Sequence, residues 1–377
     1  IRDRIKTTLL GHKSEFKITI IEEITNMTNE SFEIIQENKL GSQSTQIAQQ
    51  NNYYGMDYQN TKSLCQDLIR SELEKYKSDA ERLAKERDEK FLSTLFEKLH
   101  REKIDDNSMC EEFKNPDMQY TFVEAQKAYI RLGTPELETI LSNLLVDRAK
   151  ESDRTLLQIA LAEAVSVVPM LLPSQLDILA LCFRLRYTRN NMINSLSTFF
   201  KYIQEEILPH VPHSIDKMSS FQHLVYTKTA SIDIGEISLE NIFIETYGGL
   251  FLSGYVPEEL NDVIQKYPNF FIRCIQDQSK VQINSISRKS LDEQLSSINN
   301  MPEKDKIFIQ EHFSNNLMSP NAVKDFICSN VPSSKILFSQ WNDTYLKHLT
   351  LTSVGIVLGA NRSKQISGTT FDMNIWI

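Results

Sequence analysis

From Thr61 to Asn115 the chain carries 12 basic and 14 acidic residues in 55 positions, with both signs interspersed and neither glycine nor proline. A segment so charged resists burial, and one so free of helix-breaking residues has nothing to interrupt it, so it predicts a long solvated α-helix. Apolar residues Ile69, Leu73, Tyr76, Ala80 and Leu83 recur at alternating steps of four and three, meet Arg87, and give way to Phe91, Leu92, Leu95, Phe96 and Leu99. Two heptads are fewer than a sustained coiled coil shows. Two arrangements therefore stay open, packing within a bundle of the same chain and a helix-mediated dimer. Composition extends the helical expectation to the whole chain. Glycine and proline number 11 each in 377 residues, too few for a sandwich or barrel that turns every ~8–12 residues.

The helices continue between Pro116 and Pro209. Pro116–Leu132 ends at Gly133, and Thr134 precedes Pro135 as an N-cap before the apolar stripe Leu137, Ile140, Leu141, Leu144 and Leu145. Asp153 reads as the cap of a helix running through Leu156, Leu157, Ala160, Leu161, Ala164, Val165 and Val168, apolar enough to sit at the centre of a bundle. Ser174 reads as the next cap, and Ile193, Leu196, Phe199, Phe200 and Ile203 stripe the helix after it. Short connectors and the lack of a fixed repeat favour an antiparallel bundle over a short α-solenoid.

The flanks differ in texture. Residues 1–40 read as a small β or mixed element, because Phe16, Ile18 and Ile20 alternate with polar neighbours. Residues 41–58 are rich in Gln and Asn, and two readings stand: a linker, or an extended strand that assembles with another chain through Gln46, Gln49, Asn51, Tyr53 and Tyr54. Residues 59–209 form the expected bundle. Residues 210–377 read as a mixed, mostly helical part, with helices near Leu239–Tyr247 and Glu258–Tyr267 and a hairpin of 270–275 with 280–286. The end, Phe371 to Ile377, sets Phe371, Met373, Ile375 and Ile377 on one face of an expected strand. Phe371 and Trp376 are then anchors, either on the chain's own core or in a partner's groove. The expected fold is mainly α, an antiparallel bundle with a small mixed C-terminal part and minor β at the N-terminus.

A net charge of -9 repels phosphate backbones, so nucleic acid is not the indicated partner. The five cysteines are far apart, with no C-x-x-C, so neither a disulfide framework nor a cysteine metal site is encoded and a cytoplasmic setting fits. The longest apolar stretch, 159–172, is broken by Glu163 and Pro169 and is too short to cross a bilayer. Phosphate-loop, dinucleotide, hydrolase-elbow and zinc-protease motifs are missing. Asp3 with Glu15 and Lys17 has the residue types of a metal-dependent nuclease, where carboxylates hold the ion and a lysine assists the attacking water. An edge strand with alternating surface charges is the preferred explanation of them, and the nuclease the alternative. Arg184, Arg186 and Arg189 crowd a helix C-terminus, where the dipole is sufficient reason for them, and Arg362 and Lys364 lie in a glycine-punctuated segment, 355–368, that lacks any phosphate-loop spacing; binding of an anion or an acidic partner is the alternative reading of both groups. His210, His213 and His223 read as residues of a solvated loop, with no complete metal ligand set and no cofactor expected.

Several strings read together resemble a widespread bacterial family: Gln50-Asn-Asn-Tyr-Tyr-Gly55, Pro116-Asp-Met-Gln-Tyr120, Leu144-Leu-Val-Asp-Arg148, Arg186-Tyr-Thr-Arg-Asn190, Leu351-Thr-Ser-Val-Gly355 and the terminal Phe371 to Ile377. The resemblance spans about residues 46–377. It carries over no catalytic residue, and it implies an accessory protein of mobile-element and phage-defence loci. The expectation is a non-enzymatic, self-associating sensor, adaptor or scaffold with a protein partner; the alternative is the nuclease.

Overall fold

The computed structural model describes residues 58–102, 112–151, 153–212, 218–298 and 301–377, with side chains from Lys77 onward. Among these residues the fold is mainly α, with four three-residue strands in two antiparallel pairs. The chain divides into two compact units, residues 1–138 and 139–377. The expected N-terminal β element and the Gln/Asn-rich segment lie outside the described residues.

In the first unit the charged segment forms α1, Tyr58–Arg101, which ends earlier than expected with Lys98, His100 and Arg101 in its last turn. Cations there complement the carbonyl end of the helix dipole. Phe91, Leu95 and Leu99 are buried at helical spacing, whereas Leu83 is 44% exposed. Helix α2, Pro116–Leu132, starts where Asn115 accepts a hydrogen bond from the Asp117 amide and stops at Gly133, whose φ of 67° suits the left-handed cap. Gly133 has a second reason to lack a side chain. Arg87 of α1 donates to the Ile130 carbonyl at 2.6 Å and the Arg131 carbonyl at 3.1 Å. A Cβ on Gly133 would stand 2.3 Å from the Arg87 guanidinium carbon. The residue that breaks the apolar seam of α1 thus satisfies the orphan carbonyls of α2.

Helix α3, Pro135–Arg148, opens as the sequence predicts, with Thr134 Oγ1 accepting from the Leu137 amide at 3.4 Å. Glu138 in its first turn is buried. Its carboxylate accepts from Thr94 at 2.5 Å and Tyr129 at 3.1 Å and pairs with Lys90 at 2.8 Å. Burial pushes the Glu138 carboxyl up, but the hydrogen bonds from Lys90, Thr94 and Tyr129 outweigh it and hold the group below its ordinary value.

In the second unit α4 is Leu156–Val167 and α5 is Pro173–Cys182. Their caps differ from expectation. Thr155, not Asp153, accepts from the Gln158 amide at 3.1 Å. Ser174 lies inside α5, whose start is fixed by Gln175 reaching back to the Leu172 amide at 3.0 Å. Nor is α4 the centre of the bundle, since Leu156 and Ile159 are exposed. That place belongs to a later helix, which packs on both α4 and α5. After them come α6, Leu196–Tyr202; α7, Met218–Tyr226; strand β1, Ala230–Ile232; α8, Leu239–Tyr247; and α9, Asn261–Lys266. The hairpin forms as expected, β2 Phe271–Arg273 against β3 Val281–Ile283, with Asp277 and Ser279 hydrogen-bonded in its turn. With α10, Arg288–Ser296, and α11, Glu303–Asn315, it encloses Phe270, Ile283, Leu291, Leu295, Ile309 and Phe313. Helices α12, Pro320–Asn330, and α13, Ser334–Asn342, lead to β4, Leu349–Leu351, which pairs antiparallel with β1.

The central helix is α14, Ser353–Ser367. The glycine-punctuated segment 355–368, with its candidate anion-binding residues, is therefore regular helix, with Val354 to Asn361 buried throughout. Thr352 caps it by accepting from the Gly355 amide at 3.2 Å. A Cβ on Gly355 would lie 1.9 Å from the Thr229 carbonyl oxygen, and one on Gly359 2.7 Å from the Leu179 carbonyl oxygen. The glycines let backbones approach closely; the cost of about 1 kcal/mol for glycine in a helix interior is offset by the packing they allow.

Candidate functional site

Helix α5 does not stop at Cys182 but widens into a π-turn, Phe183–Tyr187, and α6 widens likewise through Ile203–Ile207. Such widened turns displace side chains from regular helical register and recur at functional positions. Here they bring a buried cation to a carboxylate. Arg184 is 3% exposed and hydrogen-bonded to Glu206, whose other oxygen accepts from Asn190 Nδ2 at 3.0 Å. The Arg184 guanidinium also stands 5.3 Å from the Phe371 ring centroid and 5.8 Å from that of Tyr202, distances at which cation and ring attract.

The same π-turn gathers two other parts of the chain. Arg186 donates to the Leu349 carbonyl of β4, and the Leu351 amide donates to the Tyr187 hydroxyl at 2.8 Å. Trp376 Nε1 donates to the Tyr187 carbonyl at 2.9 Å. Phe371 and Trp376 meet Phe183 edge-on at 5.0 and 5.1 Å. Their segment is not the expected strand. Asp372 caps a 3-10 turn, Met373–Ile375, leaving Ile375 69% exposed while the two aromatic rings face the interior. Both anchors are occupied within the chain.

His210 closes a 3-10 turn, Leu208–His210, and is fully buried, which corrects its reading as a solvated loop residue. Neither ring nitrogen makes a hydrogen bond of good geometry, although the backbone carbonyl of Glu206 faces the ring. Burial first, then the nearby charges of Arg184 and Arg362, lower its pKa to about 4, so the imidazole is neutral at neutral pH. Arg362 of α14 bonds Asp177 of α5 at 2.7 Å and Gln365 at 2.6 Å. Cys182 beside the turn is buried, and burial raises its thiol to about 12, leaving it unreactive.

Of the five cations singled out in the sequence, the fold brings Arg184 and Arg362 to bear on one imidazole, each already matched by a carboxylate. Arg186 serves a backbone carbonyl. Arg189 is exposed, and Lys364 lies in the last turn of α14, where its carbonyl accepts from the Gly368 cap. His223 bonds Gln175 on α5, and His213 lies outside the described residues. So do Asp3, Glu15 and Lys17, and Gln46, Gln49, Asn51, Tyr53 and Tyr54. No group of three metal-ligating side chains occurs among the described residues. Sequence reasoning missed Glu206 and Asp177 as partners, though Glu206 sits within an apolar stripe with Ile203 and Ile207 at its flanks. An acid interrupting such a stripe is the signal that a cation meets it inside.

The chemistry of this cluster is that of a clamp: two cations, two carboxylates and a neutral imidazole tie α5, α6, α14 and the C-terminal turn together. The chain belongs to a family whose model, described only as “:-like”, matches residues 55–377. No curated protein and no solved structure matches it significantly. No helix among the described residues is long and apolar enough to cross a membrane.

Proposed function

We propose that this chain is a non-catalytic, self-associating adaptor or scaffold that senses or recruits another protein, in the setting of bacterial phage defence implied by its sequence resemblance. One observation carries the reading. On α1, Phe91, Leu95 and Leu99 are buried while Leu83 of the same helix is exposed, so apolar surface continues beyond what the unit itself covers. The lengths agree: α1 has 44 residues and α2 has 17, about 66 and 26 Å at ~1.5 Å per residue. The matched charges of the Arg184 and Arg362 pairs fit the same reading, because they hold elements together rather than await a ligand. The net charge of -9 favours a protein partner over nucleic acid.

Light scattering coupled to size exclusion, over a concentration series, tests this, with a mass above that of one chain as the expected result. A monomer at every concentration refutes it. So does Mg²⁺-dependent nucleic-acid cleavage that Lys17→Ala abolishes, which would establish the alternative.

A further inference from the structure

Resting on the self-association just proposed, we infer that the exposed part of the α1 seam pairs with the same segment of a second copy, parallel and in register. The helix is continuous from Tyr58 to Arg101, so Ile69, Leu73, Tyr76, Ala80 and Leu83 share one helix face at alternating heptad core positions. Where side chains are described, Ala80 and Leu83 are exposed. The seam ends at Arg87. The next core position is committed to the Ile130 and Arg131 carbonyls at the end of α2, and beyond it Phe91, Leu95 and Leu99 are buried in the unit. The free face thus has a defined limit.

Charge decides what covers it. One flank of the seam carries the bases Arg70 and Lys77, followed by the neutral Ala84, and the other carries the acids Glu72, Asp79 and Glu86. In a parallel pair, each flanking residue faces the opposite flank of the other helix five positions on, which sets Glu72 of each copy against Lys77 of the other. An antiparallel pair about the middle of the seam sets acid against acid and base against base, an arrangement like charges oppose. A second copy in parallel register therefore matches this face twice, by two-fold symmetry. The in-chain pairs of Arg82 with Asp79 at 3.6 Å and Glu86 at 2.9 Å are exposed on both sides and hold these carboxylates only weakly.

The test uses the full chain with Cys65, Cys110 and Cys328 replaced by serine; Cys182 and Cys274 are buried and stay. Under mild oxidation Leu83→Cys gives a covalent dimer, because core positions of a parallel pair bring identical residues within the ~7 Å Cα separation a disulfide spans. Lys85→Cys, on the outer face, gives none. By light scattering, Leu83→Glu abolishes the dimer, Lys77→Glu weakens it several-fold, and adding Glu72→Lys restores it. Dimer retained by Leu83→Glu overturns the inference and leaves self-association standing through another surface. Dimer lost in Leu83→Glu, without cross-linking at 83, overturns the parallel register. A wild-type chain that stays monomeric fails both this inference and the reading beneath it.

Discussion

His210 makes the interior sensitive to acid, and the size of the effect follows from its position. In the unfolded chain its pKa is the ordinary value of 6.5; in the fold, burial and two arginines lower it to about 4. The unfolded state therefore binds the proton first as pH falls. Stability tied to the neutral ring is fully present above pH 6.5, declines between 6.5 and 4, and changes no further below the folded value. A gap of about 2.5 units at ~1.36 kcal/mol each amounts to about 3 kcal/mol, of which about 2 kcal/mol is lost by pH 5. The chain offers a clean reporter, since its two tryptophans, Trp341 and Trp376, both lie in the unit that holds His210. Urea unfolding followed by tryptophan fluorescence, at steps from pH 7.5 to pH 5, measures the slope. His210→Leu, close in volume and without ring nitrogens to leave unpaired, should keep or raise stability at pH 7.5 and flatten the decline by about 2 kcal/mol at pH 5. Identical slopes in the two proteins would show that His210 takes up protons freely in the fold, and the account of the cluster would fall.

Other changes probe the same interior. Glu206→Ala leaves the Arg184 cation buried without its carboxylate and should cost about 3 kcal/mol in urea unfolding; a loss under ~1 kcal/mol would mean the guanidinium reaches water. Gly355→Ala should destabilise by about 1–3 kcal/mol and more than Gly359→Ala, reversing the gain that alanine usually brings to a helix interior, and equal melting temperatures would refute the close approach to Thr229. Truncation after Thr370 removes Phe371 and Trp376 from Phe183 and should cost about 3 kcal/mol; unchanged stability would place the terminus outside the fold. Arg87→Ala should lower stability by about 1 kcal/mol through the carbonyls it leaves bare at the end of α2, measured by helical circular dichroism during melting.

What the sequence made legible is what local chemistry decides. Gly133 followed by Thr134 and Pro135 marked a helix end and a helix start correctly, because a left-handed cap, a side-chain acceptor and a fixed φ act within a few residues. The hairpin was legible for the same reason, as Asp277 and Ser279 make their turn bonds locally. The central helix α14 was not. Gly355 and Gly359 carry low helix propensity, and only the carbonyls of Thr229 and Leu179, more than a hundred residues upstream, show why a helix there needs glycine. Arg184 and Arg362 were noticed as cations, but a ligand-binding cation and a buried paired one look alike until Glu206 and Asp177 come into view. The C-terminal alternation misled because period two describes exposed and covered faces of a strand, whereas here a capped turn faces Phe371 and Trp376 inward together.

The cluster and the α1 seam place opposite demands on their charges, and this separates the experiments. Around His210 every cation meets its carboxylate at short range under low solvent exposure, so a change there is read in unfolding free energy and weakly in salt. Along α1 Lys77, Asp79 and Glu86 lie in water and gain most from a neighbour of matching pattern, so a change there is read in association and fades as salt screens it. Raising ionic strength should therefore dissociate the pair of chains while leaving the urea midpoint of the tryptophan signal nearly in place. A protein in which both shifted together would have its assembly surface built into the unit that folds around α14, and α1 would be only a solvated helix.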